Sequence, residues 1–195
     1  MGFSSVSRAL TAASICVFVA AAARVLSLRS VDPVIVEMEL QAVALGTDRE
    51  IATRPISAAL WTAVAHDERA PACDAGHCTA SDISWAEAVR FCNALSRASG
   101  LEPAYAIEEY RVVERSGANG YRLPHVDEIR VAAEPGSRPE FAWNGYDFNR
   151  GLSLEPGIQM DEMHDVRTIM QGTETQGVSV RNRVEGTVFR VVRAK

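Results

Sequence analysis

The chain predicts an α+β domain, and three stretches carry that expectation. Residues 84–100 read as a helix with both ends specified, residues 120–133 as an extended segment entering a second helix, and residues 34–46 as alternating strand. Apolar residues make up 47% and charged residues 23% of the 195, so the chain has the composition of an ordinary globular domain and is long enough to bury a core.

Residues 1–23 differ from the rest of the chain. They hold one charge, Arg8, then a weakly polar to apolar run from Ala9 to Ala23 that ends in A-x-A-like sites. This is the build of a cleaved signal peptide, or of a signal anchor if the run continues through residues 9–28 to Leu28. Either places the domain, residues 34–195, in an exported setting: periplasmic, extracellular or held at the membrane. Residues 34–46 (VIVEMELQAVALG) alternate well enough for one or two strands. Ser57 is a suitable N-cap for a helix over Ala58 to Val64 with Leu60, Trp61 and Val64 on one side. Cys73 and Cys78 flank Asp74-Ala75-Gly76-His77 in an Ala/Pro/Gly-rich loop, and in an oxidising compartment such a pair is expected to form a local disulfide.

The helix over 84–100 is the best specified element. Ser84 and Glu87 form a capping box, and Ile83 can staple onto Ala88. Trp85, Ala88, Val89, Cys92 and Leu95 share one face, which makes Cys92 a buried core thiol. Gly100 followed by Leu101 supplies a left-handed stop with its hydrophobic contact. The next 20 or so residues read as a loop whose mixed-charge run, Glu108 to Arg115, is a solvated face. Gly120-Tyr121-Arg122-Leu123-Pro124 then leads into a helix over Val126 to Ala133, with His125 at its capping position. Glu128 in that helix is expected to pair with a buried arginine such as Arg122. Residues 135–151, broken by Pro135, Gly136, Pro139, Gly145 and Gly151, read as loop, in which Asp147 and Asn149 offer either an Asx turn or two oxygen ligands for calcium.

A net charge of −5 without a basic cluster argues against a nucleic-acid binder. The four histidines, His66, His77, His125 and His164, form no helical metal-binding pair.

Three separated segments, ISWAEAVRFCNALS, GLEPAY and NGYRLPHVDE, resemble in order the motifs of the formylglycine-generating enzymes, the sulfatase-modifying-factor family that includes the iron-dependent sulfoxide synthases. The resemblance implies a C-type-lectin-like fold over residues 34–195, with two or three short helices around small twisted antiparallel sheets joined by long loops. It marks Ser84, Trp85, Glu87, Cys92, Tyr121, Arg122, Leu123, Pro124, Glu128 and the terminal strand residues Phe189 and Arg190 as fold-bearing positions. The family's catalytic cysteines and iron-binding histidines have no counterpart here, and the segment 178–183 holds no cysteine. The resemblance therefore implies a non-catalytic binding or scaffold subunit of an envelope or membrane assembly, with protein partners, membrane contact through residues 9–28 and no resident cofactor. The alternative it leaves is a metal-dependent oxidase whose copper site has moved to Cys73 and Cys78, with His77 as a further ligand.

Overall fold

Residues 140–147, expected as a breaker-rich loop, form the longest strand among the described residues, and the layers are built on its two faces. Phe141, Trp143 and Tyr146 are strong strand formers, and seven of its eight residues are buried. A strand covered on both faces loses the polar alternation that betrays a half-exposed one, and Pro139 and Gly145 then dominate the sequence signal.

The computed structural model describes residues 36, 40–65, 78–108, 111–133, 136–155 and 166–195. These belong to one unit, Val31–Lys195. The leader segment, Cys16, Cys73, His66, His77 and His164 lie outside the described residues. Within them the strands are β1 (Ala42–Leu45), β2 (Arg49–Ala52), β3 (Tyr105–Glu108), β4 (Arg111–Glu114), β5 (Glu140–Asp147), β6 (Leu152–Ser153), β7 (Val166–Gln171), β8 (Glu174–Ser179) and β9 (Val192–Ala194). The helices are α1 (Ala58–Ala65), α2 (Trp85–Ala98) and α3 (Val126–Val131). The architecture is therefore α+β with small antiparallel sheets and few helices.

Among the described residues three sheets form: β1-β2-β9, the hairpin β3-β4, and β6-β5-β7-β8. The first joins distant parts of the chain, with Ile51 of β2 opposite Val192 of β9. Phe141 and Trp143 on one face of β5 enter the main core with Leu60 and Trp61 of α1 and Trp85, Phe91 and Leu95 of α2. Ala142, on the other face, packs with Val126, Ile129 and Met170 beneath α3. The β5–β7 register shifts between Phe141 and Gly145, and at this irregularity the Trp143 N–H leaves the sheet for the carbonyl of Pro124, 2.8 Å away.

The ends of α2 follow their sequence signals. The Ser84 N–H donates to Glu87 Oε2 at 2.7 Å while Ser84 Oγ accepts from the Glu87 N–H, the reciprocal pair of a capping box. At the other end Leu101 N–H reaches Ser96 O at 2.8 Å and Gly100 N–H reaches Arg97 O at 3.1 Å, with Gly100 at φ +70°. Ser57 caps α1 by accepting from Leu60 N–H at 3.0 Å.

Two further expectations need correction. The mixed-charge run is a hairpin, β3-β4, with Glu108 opposite Arg111 and Ile107 opposite Val112. Ile107 and Val113 are exposed along with Glu108 and Arg111, and only Tyr105 is buried, so no alternation of apolar and polar residues marked the strands in the sequence. His125 gives no side-chain cap to α3. Glu128 takes the His125 N–H at 2.8 Å, and Asn144 Oδ1 of β5 takes the Val126 N–H at 2.9 Å. The Val126 N–H is thus capped from a neighbouring strand, which no local spacing could reveal.

Candidate binding site

Of the fold-bearing residues expected from the sequence, Trp85, Arg122, Leu123, Glu128, Phe189 and Arg190 fall into three groups. Arg122 donates through Nη1 and Nη2 to the two oxygens of Glu128, both at 2.7 Å, and Arg49 adds a third contact to Glu128 at 2.8 Å. Glu114 lies 3.3 Å from Arg122 Nε and 3.5 Å from the His125 ring. Burial acts to raise the Glu128 carboxyl, but its bonds and charge interaction with Arg122 outweigh it, so the group sits below the ordinary carboxylate range. Burial acts to lower the Arg122 guanidinium, and Glu128 and Glu114 more than restore it. The backbone of Arg122 exchanges two 2.9 Å hydrogen bonds with Val192, which ties the charge cluster to β9.

Arg190 and Glu140 form the second group. Nε and Nη2 of Arg190 donate to the Glu140 carboxylate at 2.9 to 3.1 Å, and Nη1 donates to Ala132 O at the end of α3. Burial nonetheless pushes the Glu140 carboxyl above its ordinary value. Phe189 beside it packs edge-on against Phe91 at 5.5 Å and Trp61 at 6.1 Å.

Aromatic rings make the third. Trp85 stacks on Trp143 at 5.4 Å and donates its indole N–H to Ala142 O at 2.9 Å. Tyr105 stacks on the other neighbour of this column, 4.7 Å from Trp143, and its hydroxyl accepts from the N–H of fully buried Leu123 at 2.7 Å. The Arg167 guanidinium lies 4.4 Å from the Trp85 ring and 4.8 Å from Trp143. Cys92 is a buried free thiol whose pKa burial pushes up. Cys78 is not a free thiol, while its expected partner Cys73 lies outside the described residues. Asp147 Oδ1 accepts from Asn149 N–H at 2.9 Å and Arg150 N–H at 3.2 Å, an Asx turn. Among the described residues no three His, Cys, Asp or Glu side chains cluster as a metal site.

Sequence reasoning missed the polar residues that hold these groups together. Asn93 of α2 pairs with both backbone groups of Tyr105, at 2.9 and 3.1 Å, as a strand neighbour would. Ser96 Oγ donates to Cys92 O and accepts from Tyr121 N–H at 2.8 Å. An asparagine or serine inside a helical apolar pattern gives no sign that it will be buried.

A cavity of about 370 Å³ opens where the β1-β2-β9 sheet meets the end of α2. Among the described residues its aliphatic wall is Val36, Leu40, Ala42, Ala52, Ala98 and Val191, and its polar side is Glu50, Ser99, Tyr121 and Arg193. Register explains the grouping. Ala42 faces Ala52 and Glu50 faces Arg193 across the sheet, so these four share one face, while Leu45, Ile51 and Val192 form a small core on the other. Arg193 Nε donates to Glu50 Oε1 at 2.5 Å and Nη1 reaches Tyr121 Oη at 3.4 Å, with the guanidinium 5.7 Å from the Tyr121 ring. Burial works against the Arg193 charge, but Glu50 and Tyr121 hold its pKa above the ordinary value. Ser99 Oγ is buried and has no hydrogen-bond partner among the described residues.

No protein-family model matches the chain. The chaperone protein LppX of Paenibacillus barcinonensis is 32% identical over an alignment covering 32% of this chain and 28% of that protein, so the match spans under a third of the relative's length. Treponema denticola variable protein 1 has a similar structure, with a TM-score of 0.57 and 15% identity, covering 75% of this chain and 84% of that one. The crystal structure of CarF aligns with a TM-score of 0.54 and 16% identity, covering 75% and 86%. At these identities the likeness is one of fold. These findings overturn the resemblance to the formylglycine-generating enzymes, since none of them leads to that family. The segments that carried it specify helix ends and close backbone contacts, which are local requirements of folding that unrelated chains can share. The oxidase alternative rests on that resemblance alone. The comparisons thus relate this chain by fold to a Treponema variable protein and CarF, and by a short stretch of sequence to LppX.

Proposed function

We propose that the chain is a non-catalytic binding or scaffold module that works with protein partners in a cell-envelope or membrane-associated assembly. The observation that carries this reading is the half-open cavity beside Tyr121 and Arg193, where aliphatic and polar side chains from four separate parts of the chain converge. Concave sites of mixed lining are the usual places for ligands. The name of the LppX relative, a chaperone protein, fits a role in holding another molecule. The fold is read more finely as lectin-like, because β9 closes the sheet begun by β1 and β2. The Cys73–Cys78 disulfide belongs to the same reading and is supported by Cys78 not being a free thiol.

The test is to purify the native protein from its own cells under mild detergent and weigh both the intact chain and whatever accompanies it. Stoichiometric partner chains, an N-terminus cleaved after the leader and a mass two protons light without reductant are the expected results. A chain found alone, in the soluble cytoplasm, with its leader and all its thiols intact would sink the proposal.

A further inference from the structure

Building on that binding reading, we infer that the cavity beside Arg193 takes a small aliphatic α-amino acid in its zwitterionic form. The site has an aliphatic side and a doubly charged side. Six aliphatic residues line the first, and Glu50 and Arg193 stand together on the second. A simple fatty acid would meet the Glu50 carboxylate as well as the Arg193 guanidinium, and an alkylamine would meet the reverse. A head group carrying both charges on one carbon, as an α-amino acid does, faces attraction from both.

The hydrogen-bonding capacity fits as well. Arg193 engages Glu50 through Nε and Tyr121 through Nη1, and Nη2 makes no hydrogen bond among the described residues. Glu50 accepts through Oε1, and Oε2 has no partner there either. A ligand carboxylate on Nη2 and ammonium on Oε2 would therefore extend the existing ion pair into a four-charge ring rather than break it. Tyr121 Oη supplies a further polar contact. The cavity's roughly 370 Å³ lies at the small end of the ligand-site range. It suits a branched side chain such as that of leucine, isoleucine or valine against Val36, Leu40 and Ala98.

The test is calorimetric titration of the full chain with L-leucine, 4-methylpentanoate and 3-methylbutylamine, together with thermal melting. The last two keep the leucine side chain and lack the ammonium and the carboxylate respectively. Leucine should bind and raise the melting temperature, and each truncated probe should bind at least about tenfold more weakly, since each loses a charge-assisted contact. Ala98→Phe, which fills the aliphatic end, should abolish leucine binding while melting as the parent does. Arg193→Gln should also abolish it, and should be read only if the variant remains folded. Binding of 4-methylpentanoate as tight as leucine, no heat with leucine, or undiminished binding by Ala98→Phe would overturn the inference. Its failure is separable from failure of the module reading: a chain that retains its partner chains but ignores leucine loses only the ligand assignment.

Discussion

Glu128 shows how much one carboxylate can hold. It receives both nitrogens of Arg122, one of Arg49 and the N–H of His125, and its side chain is 5% exposed. Removing its charge would leave the buried Arg122 with Glu114 alone to offset it, and breaking a buried pair typically costs about 3–5 kcal/mol. Glu128→Gln should therefore lower the melting temperature sharply at neutral pH. Because the folded-state pKa is depressed, this stabilisation is complete above the ordinary carboxylate value and is lost as pH falls through the lower folded one. The stability gap between parent and Glu128→Gln should thus narrow in acid, which melting curves at about pH 7 and about pH 3 would reveal. A gap that stays constant would mean the carboxylate's charge is not what stabilises. Cys92 offers a second test at this scale. It is fully buried with a raised pKa, so a maleimide should label it only on unfolding, and labelling as fast as a free peptide thiol would contradict its place in the core.

At the scale of elements, the ends of α2 and the start of α1 were legible, and so was a strand within 34–46, met by β1, while β3, β4 and β5 and the cap of α3 were not. Ser84, Glu87 and Gly100 act on residues within one turn, so their spacing carries the whole message. Replacing Ser84 by Ala should cost about 1 kcal/mol, measured by denaturant titration. The strands β3, β4 and β5 depended on what lies above and below them, information absent from any window of sequence. Gly120 is a case between these. Its place in the GYRLP segment was plain, but its role is steric: a Cβ there would stand 2.1 Å from Glu102 O and 2.6 Å from Ser96 Oγ. Gly120→Ala should therefore cost more than the loss of the Ser84 cap, on the order of 3 kcal/mol or above, and an equal or smaller cost would show that the backbone yields there. β5 illustrates division of labour along an element. Its residues 140, 142 and 144 serve α3 in turn, Asn144 capping the start, Ala142 packing beneath and Glu140 orienting the arginine that binds the last turn.

For the molecule as a whole, the α+β class was readable from the sequence, while the family resemblance was not upheld. The candidate cavity was illegible for a simple reason: its walls come from residues near 36–52, 98–99, 121 and 191–193, and nothing local marks such residues as neighbours. The same long-range assembly makes strand β9 a requirement for stability. Val191 and Val192 are buried, and β9 pairs with β2 while Val192 also bridges to Arg122. Deleting residues 191–195 should abolish cooperative melting rather than merely lower its midpoint. Circular dichroism would check this, and a truncated chain that still melts in one sharp step would show the sheet to be dispensable.

That pairing also bears on synthesis. Glu50 and Arg193 are separated by 143 positions, yet they meet across adjacent strands. Until β9 has left the ribosome, β2 has an open edge and Ile51 an uncovered face, so the domain cannot close before that strand is made.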